Sequence, residues 1–576
     1  MSNTPWWRDA VFYQIYPRSF ADGNGDGIGD FMGMAAKLDY LAKLGVDALW
    51  ISPHFPSPNL DWGYDVSDYL DTAPEYGGMP AFRAFLDGAH GRGLKVILDL
   101  VLNHTSDLHP WFLESASSRD NPKADWYVWA DRPPNDWQSC FDGPAWTYVP
   151  ERGQYYYHYF MRQQPDLNWH NPDVKKAMWD AVRFWLDLGV DGFRLDAIGT
   201  IFEDPDLAPH GLPLDLARLR RLSETAVSRA DKRRVQRYWH DMFKRQWGQP
   251  GVHELMKELR ALVDGYQGDR VLIAEDDNIA YQGRGDDEIH MVFNFPLMRT
   301  ESITPAHVRS NQRARQKALD RLPARGWPCN TLGNHDSPRM RSRFGGVDPE
   351  HSLALARLNA AMVTLIRGTP VLYNGEELGM EDLVLDNPAD LRDTMAVWYL
   401  GQLTDTLGVP PDEAARRAAD MTRDRCRSPV QWGPGPNADF CPAGVRPWLP
   451  VHRDHARGVN AADQESDPES ILAWYRRILA LRRAEPALRR GEQRFVDGGS
   501  GSVLAWLRRE PGSPRSVLVA LNYGDNPAIL RARSVSGSGT VLESTDRLAA
   551  GSMVDARRLR LGPLSAIIVA LENRKS

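Results

Sequence analysis

Hydrophobic positions follow two alternating periods along most of this chain. Short apolar runs give way to longer stretches in which apolar residues return every three to four positions. "VFYQIYPRSF" from Val11 leads into "MAAKLDYLAKLG", and "ALWISP" from Ala48 into "PAFRAFLDGAHGRG". Six more runs follow: "KVILDLV" at Lys95, "GFRLDA" at Gly192, "VLIAED" at Val271, "MVFNFP" at Met291, "CNTLGNHD" at Cys329 and "PVLYNGEELG" at Pro370. Amphipathic segments such as "VKKAMWDAVRFWLDLG", "VHELMKELRALVDGY" and "LALARLNAAMVTLIRG" lie between them, the pattern of parallel βαβ units. Eight such units predict an α/β fold, a (β/α)8 TIM barrel.

Two stretches break the rhythm. From His104 to Asn171 the chain is rich in Pro, Asp and aromatics, which predicts a subdomain inserted after strand 3 (residues 104–171) between barrel segments 1–103 and 172–490. A second Pro- and charge-rich stretch runs from Glu381 to Pro468, before "ILAWYRRILALRRAEPAL" supplies a last helix. Beyond Gly491, alternating runs such as "SVLAWLRR", "SVLVALNY" and "SAIIVAL" predict a C-terminal antiparallel β-sandwich over 491–576. The Arg-rich helical pattern from Asp204 to Lys244 reads as a solvated excursion.

Length and composition narrow the function classes. The 576 residues exceed one ordinary core, and 42% hydrophobic with 25% charged residues is the balance of a globular protein. A formal charge of −7 argues against nucleic acid or an anionic membrane as partner. Four cysteines without a C-x-x-C pair suggest neither a disulfide scaffold nor a zinc ribbon. The start "MSNTPWWRDA" has no basic-then-apolar leader and no run is long enough to cross a bilayer, so the expected compartment is cytoplasmic.

In a parallel barrel the chemistry gathers at the C-terminal ends of the strands. The carboxylates there are Asp99, Asp196, Glu275, Asp336 and the pair Glu376 and Glu377. Acids from the fourth, fifth and seventh strands, two with a basic or histidine neighbour in "GFRLDA" and "GNHD", suit a site that stabilises developing positive charge while moving a proton. Glycosidic cleavage needs that combination.

"DLVLNHTS", "GFRLDA", "VLIAED" and "LGNHDSPR" occur in the order, and at the strand ends, of the motifs of the α-amylase superfamily of retaining α-glycoside hydrolases and transglucosylases, which the chain resembles from about Trp6 to Leu488. "QPDLNW" from Gln164 is similar to the signature of its oligo-1,6-glucosidase and α-glucosidase branch. The resemblance implies Asp196 as nucleophile, Glu275 as general acid/base and Asp336 as the acid that grips the sugar and helps distort it. Arg194, two residues before Asp196 and on the same strand face, is placed to keep that carboxylate ionised. By the same resemblance His104 and His335 bond glucosyl hydroxyls, Asp61 and Tyr64 fix the non-reducing glucose, and Arg427 pairs with Asp61 to close the pocket. Phe141, Phe160 and Gln164 resemble further wall residues, buried core aromatics being the alternative for the two Phe. Ala197, following the nucleophile, suggests tolerance of α-1,4 links, whereas Asp276 and Asp277 directly after Glu275 depart from the branch pattern and could raise its pKa.

"FADGNGDGIGDF" places Asp22, Asn24, Asp26 and Asp30 at positions one, three, five and nine of a calcium-type loop, with Ile28 at seven to offer a carbonyl. Position twelve is Gly33 and no helix precedes the loop, so it is not an EF-hand. The similar loop of the glucosidase branch implies one structural Ca2+ or Mg2+; the alternative is a series of Asx turns. The expected function is thus an exo-acting retaining α-glucosidase on short α-glucosides. A transglucosylase or a sucrose or trehalose isomerase on the same site is the rival reading, and a non-catalytic binding protein the distant one. The Arg–Leu–Asp–Arg–Asp motif of sucrose isomerases is absent, "ALDRLPARG" being only a weak approximation.

Overall fold

The computed structural model describes residues 4–346, 348–385, 387–535, 537–546 and 548–572. All eight expected runs are strands: β1 Phe12–Ile15, β2 Ala48–Ile51, β3 Lys95–Val101, β4 Gly192–Asp196, β5 Val271–Ala274, β6 Met291–Val292, β7 Cys329–Thr331 and β8 Thr369–Tyr373. They form one parallel sheet in the order β7-β8-β1-β2-β3-β4-β5-β6, the circular order of a (β/α)8 barrel. Nearly every strand residue is buried, because helices cover the outer face and side chains fill the inner one. Gly192 opens β4 with φ 148°, where an added Cβ would sit 2.1 Å from the Val271 carbonyl oxygen, so this close approach of β4 to β5 admits no side chain.

No backbone ladder joins β6 to β7 among the described residues. Buried amides bridge the gap instead. The Asn294 Nδ2 group, just after β6, donates to the Asn330 side chain in β7 at 3.1 Å, and Gln312 Nε2 donates to the same Asn330 oxygen at 2.9 Å.

Helices begin where the sequence supplies caps. Asn171 caps Pro172–Asp187, and Asp348 caps Pro349–Leu365, each with proline at the first turn. Between β3 and β4 lies a three-stranded antiparallel sheet, Trp129–Ala130, Trp146–Val149 and Gln154–Tyr157. The 204–244 excursion differs from its expectation. Its helices Leu216–Thr225 and Arg229–Phe243 bury Leu216, Leu219, Met242 and Phe243 in one cluster with Trp146 and Tyr157 of that small sheet and Trp137 and Tyr159 of the loops beside it. Arginines dominate the composition and most lie on the surface, although Arg220 turns in to donate to the Cys140 carbonyl at 2.6 Å, so the apolar stripe that docks the pair was masked.

From Glu492 the chain forms a six-stranded antiparallel sheet and a separate two-stranded one, with a core of their own. Trp506 Nε1 and Arg508 both donate to the Leu365 carbonyl, fastening this body to the helix before β8.

Candidate active site

β4 supplies the centre of the site. Strand alternation puts Arg194 and Asp196 on one face, and the Arg194 guanidinium, only 1% exposed, meets three carboxylates. Its Nη1 lies 2.6 Å from Asp99 and 2.7 Å from Asp196, and its Nη2 2.7 Å from Glu275. Ala197, in the left-handed region at φ 39°, turns its N–H to the Glu275 carboxylate at 3.2 Å. The turn after β4 therefore draws the two expected catalytic acids together.

One guanidinium cannot neutralise three acids. Burial lifts Asp99 and Asp196 to about 6 each, against the pull of Arg194. It lifts Glu275 furthest, to about 8, with the charges of Asp196 and Asp336 adding to the rise and those of Arg194 and Arg299 opposing it. At neutral pH the proton therefore rests on Glu275 while Asp196 is ionised, the division an acid and a nucleophile require. Asp276 is buried and accepts the Asn278 N–H at 2.7 Å. It is not a main source of the Glu275 rise, which answers the departure noted in "IAEDDN".

Asp336 goes the other way. Burial opposes its charge, yet His335, at 3.1 Å, and the guanidiniums of Arg427, at 2.7 Å, and Arg423, at 3.6 Å, hold it well below the usual carboxylate range. His335 is kept neutral by burial and belongs to a defined relay. Gln14 Nε2 donates to its Nδ1 at 2.7 Å, which leaves the proton on Nε2 facing Asp336 at 3.1 Å and the Tyr64 oxygen at 2.6 Å; Tyr64 in turn donates to Asp99 at 3.0 Å.

The far wall corrects one expectation. Asp61 is paired not with Arg427 but with Arg423, at 2.8 Å. Arg423 is fixed by Asp393, which accepts from its backbone N–H, Nε and Nη2 at 2.7 to 3.0 Å, so its fork points at Asp61. Arg427, one turn further along, faces Asp336 and donates from Nε to the His335 carbonyl at 2.8 Å. Spacing alone could not choose among the three arginines of "TRDRCRSP". Gln164 completes the wall by donating to Asp61 at 3.0 Å.

These groups enclose a cavity of ≈ 320 Å³, large enough for a single sugar ring with part of its neighbour. Of the expected residues, Asp61, Tyr64, His104, Phe141, Phe160, Asp196, Glu275 and Asp336 line it. Phe141 and Phe160 pack edge to face at 5.4 Å on the cavity rather than in the core. Arg194, His335, Arg427 and Gln164 lie behind the lining, where they orient other groups. His104 lines the cavity, but its Nε2 faces the Tyr64 carbonyl at 3.1 Å and burial drops its pKa to about 3, so it is a neutral ring. Tyr64 stacks on His335 with centroids 5.3 Å apart. Sequence reasoning missed Arg423 and, on the open side, Trp247, Phe295 and Arg299.

The "FADGNGDGIGDF" loop shows its Asx turns. Asp22 accepts the N–H groups of Gly25 and Gly27 at 2.6 and 2.8 Å, Asp26 that of Ile28 at 2.8 Å, and Asp30 caps the next helix through Gly33 at 2.6 Å. Asp30 is the most occupied, accepting also from the Gly23 and Asn24 N–H groups, and Asp26 accepts from the Asn24 amide, while no Lys or Arg ion-pairs with Asp22, Asp26 or Asp30 among the described residues. An all-oxygen set without a side-chain counter-charge fits a hard divalent cation. A different group, Glu381, His452 and Asp454, brings donor atoms within 4.8 Å of one another. There Arg341 lies 3.1 Å from Glu381, and Gln431 donates to Asp454 at 2.8 Å.

Among the described residues no helix is long and apolar enough to cross a membrane. The α-amylase catalytic-domain family model matches residues 14–491. The chain is 41% identical over 557 residues to a probable alpha-glucosidase of Rhizobium meliloti strain 1021, covering 94% of each chain. It is 39% identical over 494 residues to an oligo-1,6-glucosidase of Parageobacillus thermoglucosidasius, covering 83% of this chain and 84% of that one. Among solved structures, the trehalulose synthase MutB of Pseudomonas mesoacidophila MX-45 superposes with a TM-score of 0.85 at 34% identity, and the alpha-glucosyl transfer enzyme XgtA with 0.81 at 38%, each over 99% of this chain and 100% of the other.

Proposed function

Because the chain belongs to the α-amylase family of glycoside hydrolases, we propose that its site works as an exo-acting retaining α-glucosidase on the non-reducing glucose of short α-glucosides. The observation that carries this reading is the single Arg194 guanidinium shared by Asp196 and Glu275, with burial holding the proton on Glu275. The two carboxylates meet on one guanidinium, which keeps the displacing acid and the proton-donating acid on the same small stretch of the cavity, as a retaining mechanism needs.

In the first step the ionised Asp196 attacks C1 of the glucosyl ring, the C1–O bond breaks, and Glu275 protonates the departing oxygen. In the second, Glu275 takes a proton from water, the water oxygen attacks C1, and Asp196 leaves as carboxylate. Asp336, held anionic by Arg427 and Arg423, accepts from ring hydroxyls and favours the oxocarbenium-like transition state. The Asp61–Arg423 pair, braced by Gln164, blocks the pocket beyond one glucose and supports exo action.

The same glucosyl-enzyme can pass glucose to another hydroxyl, and the likeness to a trehalulose synthase and a glucosyl transfer enzyme supports transfer as a second reading. Time-resolved product analysis on maltose, isomaltose, sucrose, trehalose and starch, beside Glu275→Gln, tests both. Free glucose from a disaccharide with little attack on starch is expected. Rearranged disaccharides without glucose would favour isomerisation.

We further propose that Asp22, Asn24, Asp26, the Ile28 carbonyl and Asp30 hold one structural Ca2+ or Mg2+, supported by the donor chemistry of that loop. Four free cysteines support a cytoplasmic setting. We also propose the domain division at 103/104, 171/172 and 490/491, supported by the small sheet that lies between residues 129 and 157, the helix that begins at Pro172 and the antiparallel sheet that begins at Glu492; residues 1–3 and 573–576 of its outer segments lie outside the described residues.

A further inference from the structure

We infer that Glu381, His452 and Asp454 form a second cation site, one that takes Zn2+ and clips together the two ends of the long segment between β8 and the helix Ile471–Ala484.

The three side chains come from distant points of the chain. Glu381 opens the Pro- and charge-rich segment and the other two stand near its end, yet one donor atom from each lies within 4.8 Å of the others. Ligands about 2.0–2.2 Å from a tetrahedral Zn2+ stand about 3.3–3.6 Å from one another. A turn of the Glu381 side chain, 34% exposed and free to move, closes that difference.

The inner pair is already built. Asp454 is 4% exposed, and its Oδ1 lies 2.6 Å from His452 Nδ1. A nitrogen lone pair and a carboxylate approach so closely only with a positive atom between them, a proton or a metal. Gln431 donates to Asp454 Oδ1 at 2.8 Å and to the Val459 carbonyl, which fixes the carboxylate from behind. The other oxygen, Oδ2, is buried and accepts no hydrogen bond among the described residues. A buried anionic oxygen without a donor is costly unless a cation meets it. Arg341 does not fill that role. It reaches Glu381 Oε1 at 3.1 Å and donates as well to the Gly379 carbonyl and Ser352 Oγ, at 2.9 and 3.2 Å, and neither Lys nor Arg ion-pairs with Asp454 among the described residues.

The imidazole decides the metal. The Asp22 loop offers oxygen alone and suits Ca2+ or Mg2+, whereas one nitrogen and two carboxylates suit Zn2+, with water in the fourth position. The segment so closed carries Asp393, Arg423 and Arg427, the groups that hold Asp61 and Asp336 in place. Tying its ends limits the freedom it gains by opening locally.

The test titrates Zn2+ by calorimetry into EDTA-stripped, dialysed protein kept in millimolar Ca2+, so that sites for hard cations are filled. One Zn2+ per chain at micromolar Kd is expected. Tm should rise by about 3 °C when Zn2+ is in hundredfold excess over Kd, and amide exchange should slow within 381–454. His452→Asn, which keeps a good capping residue before the short helix Arg453–Arg457, and Glu381→Gln should each weaken Zn2+ binding at least tenfold. Both variants should hydrolyse substrate as wild type does, which shows them folded. Zn2+ binding as tight in His452→Asn as in wild type, or lost in Asp22→Asn instead, would overturn the site. So would wild-type protein that gives neither heat nor a Tm shift. Zn2+ held by these residues with exchange in 381–454 unchanged would sink the clip.

Discussion

Replacing Glu275 by glutamine should raise thermal stability while destroying hydrolysis, and the gain should grow with pH. Two features of the site pull in opposite directions here. Arg194 lies 2.7 Å from the carboxylate, as in an ion pair, while burial lifts the group from the ordinary 4.5 to about 8. If the lifted value governs, the folded protein holds a proton that the unfolded chain releases above pH 4.5. Stability is then fully present below pH 4.5 and is lost as pH rises toward 8. At 1.36 kcal/mol per pH unit the interval amounts to roughly 5 kcal/mol when fully titrated. Coupling to Asp196 and Asp99 through the shared guanidinium reduces this, and a change of about 2 kcal/mol between pH 5 and pH 8 is a reasonable expectation. Glutamine cannot ionise, so the Tm of Glu275→Gln should nearly match wild type at pH 5 and exceed it by about 2–4 °C at pH 8, taking about 1–2 °C per kcal/mol for a body of this size. Scanning fluorimetry at both pH values reads this directly. A variant less stable than wild type at pH 8 would refute the reasoning, because it would mean that an ionised Glu275–Arg194 pair holds the site together.

The kcat/KM profile should be bell-shaped, rising as Asp196 ionises near 6 and falling as Glu275 loses its proton near 8; a profile flat from 5 to 9 would contradict that assignment. Glu275→Gln should cost about 10²–10⁴ in hydrolysis of a disaccharide and much less on α-glucosyl fluoride, whose departure needs no proton. Arg423→Ala leaves Asp61 and Asp393 buried without their cation and should lower stability by about 3–5 kcal/mol and raise KM, whereas Arg427→Ala should act mainly on kcat through Asp336; steady-state kinetics with denaturation curves separates the two. Treatment with EDTA should lower Tm, and added Ca2+ restore it in wild type but not in Asp22→Asn, with kcat/KM below the transition little changed.

The barrel was legible because parallel strands buried on both faces leave continuous apolar runs, and all eight were read at their observed positions. The three acids and Arg194 were legible for a related reason, since strand ends and a period of two fix where such side chains point. The Asp61 partner was not, because the choice between Arg423 and Arg427 depends on Asp393, thirty residues earlier in a segment without periodicity. Trp247 was hidden by the arginines of the helices before it. Their surface charge reads as solvation, while the four or five apolar positions that dock them give too weak a signal to stand out.

The amide seam between β6 and β7 is where the barrel closes on side chains rather than on backbone. The chain after β6 carries Phe295 and Arg299, and the chain after β7 carries His335 and Asp336. Side-chain contacts from Asn294 and Gln312 to Asn330, rather than a rigid ladder, join them. Asp196 and Glu275, on β4 and after β5, stand on the continuous ladder that ends at β6, so the third acid, Asp336, meets the other two across the joint of the barrel that rests on side-chain amides.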